Sequence, residues 1–303
     1  MNKPNRLKKG DTIGLIAPCY RTAPEDIAAE CGKLSELGFK IKTATNIFSS
    51  DFGSAGTPEQ RAADILEMFC DDSVNAILFS GGETSNEVLP LLNYEEIAKH
   101  PKIFCSYSDS TTPMNAITGR CGFMTMYGSA LCTFRNLTDH NLRCFEAALM
   151  EGDRHFQRGS EWKIYGGRGQ KIHGTTIGGY LANFALMVGT EYLPFDPDRR
   201  YILFLEDYTS FSSVDAVERY FAHISQSALF RNVDAVIFGD YDTVERDDLN
   251  SLIERYAART ARPFVKCADF GHGANNAIIP IGIGATLDLS RGELDFDESP
   301  VIL

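Results

Sequence analysis

The sequence predicts an α/β protein built on a parallel sheet, and three observations carry that expectation. Short apolar runs recur along the 303-residue chain, as expected of strands buried on both faces of a parallel sheet. Segments with apolar residues at helical spacing alternate with those runs, giving repeated strand-helix-strand units. Several runs end in hydroxyl, glycine or acidic residues, at the carboxyl edge where open α/β sheets place their chemistry.

Thr12 to Ala17 reads as a buried strand closed by Pro18. A helix starts near Pro24-Glu25, with Ile27, Cys31, Leu34 and Leu37 along one face and Gly38 as its stop. Phe39 to Ala44 is the next strand, and Ser49 to Thr57 is a loop. A helix from Pro58 shows Ala62, Ile65, Leu66 and Phe69 on one face, and Asn75 to Phe79 is a strand. Gly81-Gly82-Glu83 follows it directly, a turn that can expose backbone N–H groups to an anion or bind nothing at all. A short helix over Leu89 to Ile97 precedes the strand Lys102 to Ser106. Helix-compatible residues run to Ile117, a short strand covers Phe123 to Tyr127, and an amphipathic helix covers Asn141 to Met150.

Composition changes at Glu151, and the polar, glycine-rich stretch to Gln170 reads as a linker or crossover. The expected division is therefore 1–150, a 151–170 connection, and 171–303. Beyond it, strands are expected at Tyr201 to Leu205, Val233 to Phe238 and Phe264 to Ala268. Helices are expected at Leu181 to Val188, Val214 to Ala228 and Leu249 to Ala258. Alternation around Leu287-Asp288-Leu289 and Leu294-Asp295-Phe296 suggests two small antiparallel strands.

The formal charge of −12 argues against a nucleic-acid polymer or an anionic membrane as partner, since both reward a basic surface. Eight cysteines without paired short spacing suit a reducing cytoplasm better than a metal site or a disulfide framework. No apolar signal region or membrane-length span is read, and no cofactor is expected.

Three polar residues at strand ends form the candidate site. Ser108 sits where the 102–106 strand hands over to a helix, as a nucleophile or as an ordinary helix cap. Glu206 follows the 201–205 strand, and its carboxylate can orient a base or simply pair with a cation. His272, between Gly271 and Gly273, can serve as that base or as a structural group. Half a metal site from Asp269 and His272, and thiol chemistry at Cys19 or Cys105, are the competing enzymatic readings.

The residues also resemble a known family. Gly10 to Pro18, the helix from Arg61 to Phe69, Gly81 to Asn86 with Leu89 to Tyr94, Tyr107 to Thr111 and Tyr127-Gly128 match the LD-carboxypeptidase family of serine peptidases in order. So do Gly178-Gly179, Phe204 to Asp207, Asp269 to Gly273 and Pro280 to Gly282. Ser85-Asn86 and the Leu89 to Tyr94 segment resemble its microcin C immunity branch. The resemblance implies an α/β fold with a Rossmann-like or flavodoxin-like parallel-sheet N-terminal domain and a smaller mixed-sheet C-terminal domain. It implies Ser108 as nucleophile, His272 as base, Glu206 as orienting carboxylate, and an oxyanion site from the N–H of Asp109 and one from Gly82-Glu83. It further implies a homodimer acting on a small peptide or aminoacyl-nucleotide substrate. A murein tetrapeptide carboxypeptidase releasing D-Ala, or a binding protein of the same fold without turnover, are the alternatives. Departures from the family pattern at Ser106, Tyr180 and Tyr208 to Ser213 bear on specificity more than on reaction type.

Overall fold

The computed structural model describes residues 1–79, 85–167 and 169–303. Five strands open the chain: β1 (Thr12–Ile16), β2 (Lys40–Thr43), β3 (Ala76–Phe79), β4 (Ile103–Ser106) and β5 (Thr125–Tyr127). They pair in parallel in the order β2-β1-β3-β4-β5. β3 and β4 are buried at every residue, which is why their sequences are unbroken apolar runs. Helices Pro24–Glu36 and Pro58–Cys70 cross between strands. The second is closed at its start by a reciprocal Thr57/Gln60 capping box, and Pro58 stands in its first turn, where a missing N–H goes unnoticed.

The second half supplies β6 (Lys163–Tyr165), β7 (Lys171–Tyr180), β8 (Tyr201–Glu206), β9 (Val233–Phe238) and β10 (Phe264–Lys266). β11 (Ile279–Ile281), β12 (Gly284–Asp288) and β13 (Glu293–Phe296) complete the strands of the described residues. The second sheet runs β13-β12-β7-β8-β9-β10-β6. Its centre, β7 to β10, is parallel, and its flanks are antiparallel. The pair β12–β13 is the antiparallel ending read from alternation. β6 falls within the stretch read as a connection, and β7 occupies residues whose glycines masked a strand. β11 leaves the second half altogether and pairs antiparallel with β5, so both sheets are mixed. The architecture is α/β with two mixed sheets.

Helix Thr111–Cys121 lies at the junction and is buried along nearly its whole length. Asn115 Nδ2 donates both to its own turn, at Thr111 O, and to Gly178 O of β7, each at 2.8 Å. Close approach explains Gly179: a β-carbon there would lie 2.4 Å from Thr111 Oγ1, so only glycine lets β7 pass the start of this helix. No helix of the described residues is long and apolar enough to cross a membrane.

Candidate active site

Ser108 follows β4 with φ of 64°, a left-handed conformation that costs a non-glycine residue on the order of 1–3 kcal/mol. Its neighbours hold it there. The Tyr127 hydroxyl accepts from Ser108 N at 3.0 Å, and Thr111 Oγ1 donates to Ser108 O at 2.6 Å while accepting from Tyr180 N at 2.8 Å. The sharp turn lifts Oγ away from the strand and towards His272, as in strained nucleophile turns between strand and helix. Ser106 is wholly buried and accepts from Ser110 Oγ at 3.0 Å, so its hydroxyl fits without crowding the turn.

Glu206 is the last residue of β8 and is completely buried. One oxygen accepts from Tyr127 Oη at 2.5 Å, and the other stands 2.8 Å from His272 Nδ1. Because an ionised carboxylate can only accept, the proton lies on Nδ1, and Nε2 is left to accept from Ser108 Oγ at 2.8 Å. Ser108, His272 and Glu206 thus form one continuous hydrogen-bonded chain contributed by three separate strand ends. The loop carrying His272 passes so near Glu206 that Gly271, with φ of 108°, has no room for a side chain: a β-carbon would sit 2.6 Å from Oε2.

That loop is pinned from several sides. Asp269 accepts from Trp162 Nε1 at 2.6 Å and from Gly159 N at 2.9 Å. Its carboxylate is therefore turned to these donors, which counts against the half metal site with His272. Asn141 Nδ2 donates to Ala274 O and Asn276 Nδ2 to Gly271 O, while Asn141 Oδ1 accepts from Asn276 N. Cys19 and Cys105 are buried, and burial pushes both thiols well above their ordinary range, opposite to what a reactive thiolate needs.

Four aromatic rings enclose the imidazole. Tyr107, Tyr180 and Phe211 meet it edge-on with centroids 5.2 Å away, and Tyr208 stacks at 5.9 Å. Burial alone would lower the His272 pKa, but the charge and hydrogen bond of Glu206, aided by Asp207 and Asp109, outweigh it and raise the pKa. Asp207 is itself wholly buried; burial pushes its carboxyl up to about 7, with the neighbouring Glu206 adding to the rise against the Tyr208 N–H that opposes it. Its Oδ2 has no hydrogen-bond partner within bonding distance among the described residues.

Asp109 follows the serine in a short 3-10 turn, and Asn183 Nδ2 fixes its side chain at 2.8 Å. Gly82 and Glu83, expected to supply a second oxyanion donor, lie outside the described residues. Tyr127 and Asn183 were not singled out as site residues in the sequence. Tyr127 is recognisable only through the pairing of β5 with β4, which no local pattern reports. A chamber of about 710 Å3 opens beside Ser108 and His272, with Tyr180, Phe211 and Tyr220 among its walls.

The chain is similar to known proteins along almost its whole length. The LD-carboxypeptidase N-terminal domain matches residues 13–128, and the LD-carboxypeptidase C-terminal domain matches residues 173–287. A Bacillus subtilis protein named "Probable murein peptide carboxypeptidase" is 29% identical, the match covering 95% of this chain and 92% of that protein. The microcin C7 self-immunity protein of Escherichia coli is 27% identical over 96% of this chain and 94% of its own. Among solved structures, an MccF-like protein from Bacillus anthracis superposes with a TM-score of 0.87 at 26% identity, over 98% of this chain and 100% of that one. The microcin C7 self-immunity protein in complex with aspartyl sulfamoyl adenosine gives 0.88 at 25% identity, over 100% of both chains. With both domain matches in sequence order and together spanning well over half of its length, the chain belongs to the LD-carboxypeptidase family of serine peptidases.

Proposed function

We propose that Ser108 is the nucleophile, His272 the general base and Glu206 the carboxylate that orients it. The proposed substrate is an amide joining an aminoacyl group to a nucleotide-like sulfamate or phosphoramidate. The observation that carries the reading is the unbroken chain from Ser108 Oγ to His272 Nε2 and from His272 Nδ1 to Glu206, each step 2.8 Å. In this mechanism His272 Nε2 takes the Ser108 proton as Oγ attacks the scissile carbonyl, and Glu206 stabilises the resulting imidazolium. The Asp109 N–H is the proposed oxyanion donor, with a second from Gly82-Glu83. His272 then protonates the leaving nitrogen, and a water activated by the same ring releases the acyl group from Ser108.

The substrate class is supported by the aromatic walls of the chamber, which suit a flat heterocycle better than a small zwitterion. The relative bound to aspartyl sulfamoyl adenosine supports it from outside. The reading extends to a cytoplasmic enzyme, supported by eight free thiols, and to a homodimer, which rests on the family resemblance. It takes residues 151–170 as the crossover between units 1–150 and 171–303. The order β2-β1-β3-β4-β5 supports a flavodoxin-like reading of the first sheet.

Intact-mass spectrometry of reactions with an L,D-tetrapeptide and with an aminoacyl sulfamoyl adenosine tests the proposal. Release of the sulfamoyl nucleoside by the wild type and not by Ser108→Ala is expected. Release of D-Ala alone would move the enzyme to murein, and full turnover by Ser108→Ala would defeat the nucleophile assignment.

A further inference from the structure

We infer that the acyl group transferred to Ser108 carries an uncharged or cationic side chain and excludes an acidic one. This rests on the amidase reading just given. In that chemistry the acyl carbon becomes bonded to Ser108 Oγ. Its substituents therefore occupy the space adjoining Ser108 from attack until hydrolysis, after the leaving group has gone. That space is the part of the chamber of about 710 Å3 next to Ser108, the remainder being left to the leaving group; the whole is within the range that encloses a small ligand.

The described lining of the chamber offers a carboxylate no Lys or Arg to pair with. Among its described lining residues the ionisable carboxyl is Asp109, the basic group is His272, and there is no Lys or Arg. Glu206, though not a lining residue, lies wholly buried behind His272, 2.8 Å from its Nδ1. Arg61 is not a lining residue, and its guanidinium reaches Glu87 at 2.7 Å and Pro18 O at 3.2 Å. A side-chain carboxylate seated here would lose water and face Asp109, with neither Lys nor Arg among the described lining residues to receive it. An apolar or aromatic side chain would meet Tyr107, Tyr180, Phe211 and Tyr220, and a cationic one would gain from both the rings and the carboxylates.

The inference separates this chain from the relative whose complex contains an aspartyl conjugate. Ser210 marks a place to test it, because it lines the chamber yet is exposed, so a longer side chain there leaves the core untouched.

The experiment uses phenylalanyl, lysyl, aspartyl and glutamyl sulfamoyl adenosine. Wild-type kcat/KM is measured for each, and binding of each to Ser108→Ala is measured by calorimetry. The phenylalanyl and lysyl conjugates are expected to exceed the acidic pair by at least about tenfold in both measurements. Ser210→Lys is expected to shift the acidic-to-lysyl ratio by about tenfold or more towards the acidic conjugates. Equal or better handling of the acidic pair by the wild type overturns the inference, as does an unchanged ratio in a folded Ser210→Lys protein. Failure of all four to bind overturns it as well. Charge-ordered binding with no wild-type turnover would instead sink the amidase reading and leave the charge preference standing.

Discussion

The phenol of Tyr127 donates to the buried carboxylate of Glu206 at 2.5 Å, joining β5 of the first sheet to β8 of the second across the reacting centre. The same oxygen accepts from Ser108 N. Tyr127→Phe therefore strands two buried groups at once. It should cost about 1–3 kcal/mol in denaturant unfolding. It should also lower kcat by roughly tenfold to a hundredfold through misplacement of the chain, with little change in KM. An unaltered kcat would show that the hydroxyl is structural only.

Ser108→Ala and Ser108→Gly should both be inactive, yet differ in stability. The backbone at φ of 64° strains alanine but not glycine, so the glycine variant should unfold about 1 kcal/mol later in urea than the alanine variant. Identical midpoints would mean that the turn is relaxed at this position.

Glu206→Gln keeps a group that can accept from His272 Nδ1 but removes its charge. A drop in kcat of roughly 10^3 to 10^4 is expected. The wild-type rate should fall on the acid side with a midpoint above the ordinary histidine value of about 6.5, because His272 must be neutral to accept the serine proton and its pKa is raised. Residual activity of the glutamine variant should show that midpoint at lower pH. A limb that stays in place would rule out Glu206 as the source of the shift.

Asp207 holds its proton in the folded protein to about pH 7, whereas an unfolded aspartate releases it near 3.9. Folding thus loses stability as pH climbs between those values, and the full loss is present above the upper one. Asp207→Asn should be neutral near pH 4 and more stable than wild type at pH 8 by on the order of 2–4 kcal/mol. It should also move the acid limb of the rate profile downward, since Asp207 helps to raise His272. Thermal melts across pH that run parallel for the two proteins would contradict this.

Most of the frame was legible because buried parallel strands are continuous apolar runs, and β1, β3, β4, β8 and β9 all fall where such runs stand. Ser108, Glu206 and His272 were legible for a related reason: each is polar immediately beyond a strand or in the loop that follows one. β7 was not: residues 171–180 carry no apolar run and mark no element, because the close packing that demands Gly174, Gly178 and Gly179 is unseen in the sequence. β6 and β11 are three residues each and exist through distant partners, Lys163 pairing with Lys266 103 positions beyond it and Ile279 with Tyr127 152 positions before it. Asn183 and Tyr127 act through contacts of that same long range, as in Asn183 with Asp109.

The ladder between β11 and β5 has a mechanical meaning. The segment bearing His272 leaves one sheet at β10 and is stitched into the other at β11, next to the strand whose neighbour delivers Ser108. The two halves are therefore belted together by the segment that carries His272, and they cannot swing apart like the covers of a book without tearing that belt or dragging the imidazole off the serine. On this reading the way into the chamber lies past side chains at its rim, where Tyr20 and Phe211 stand 55% and 61% exposed, and not through a parting of the lobes.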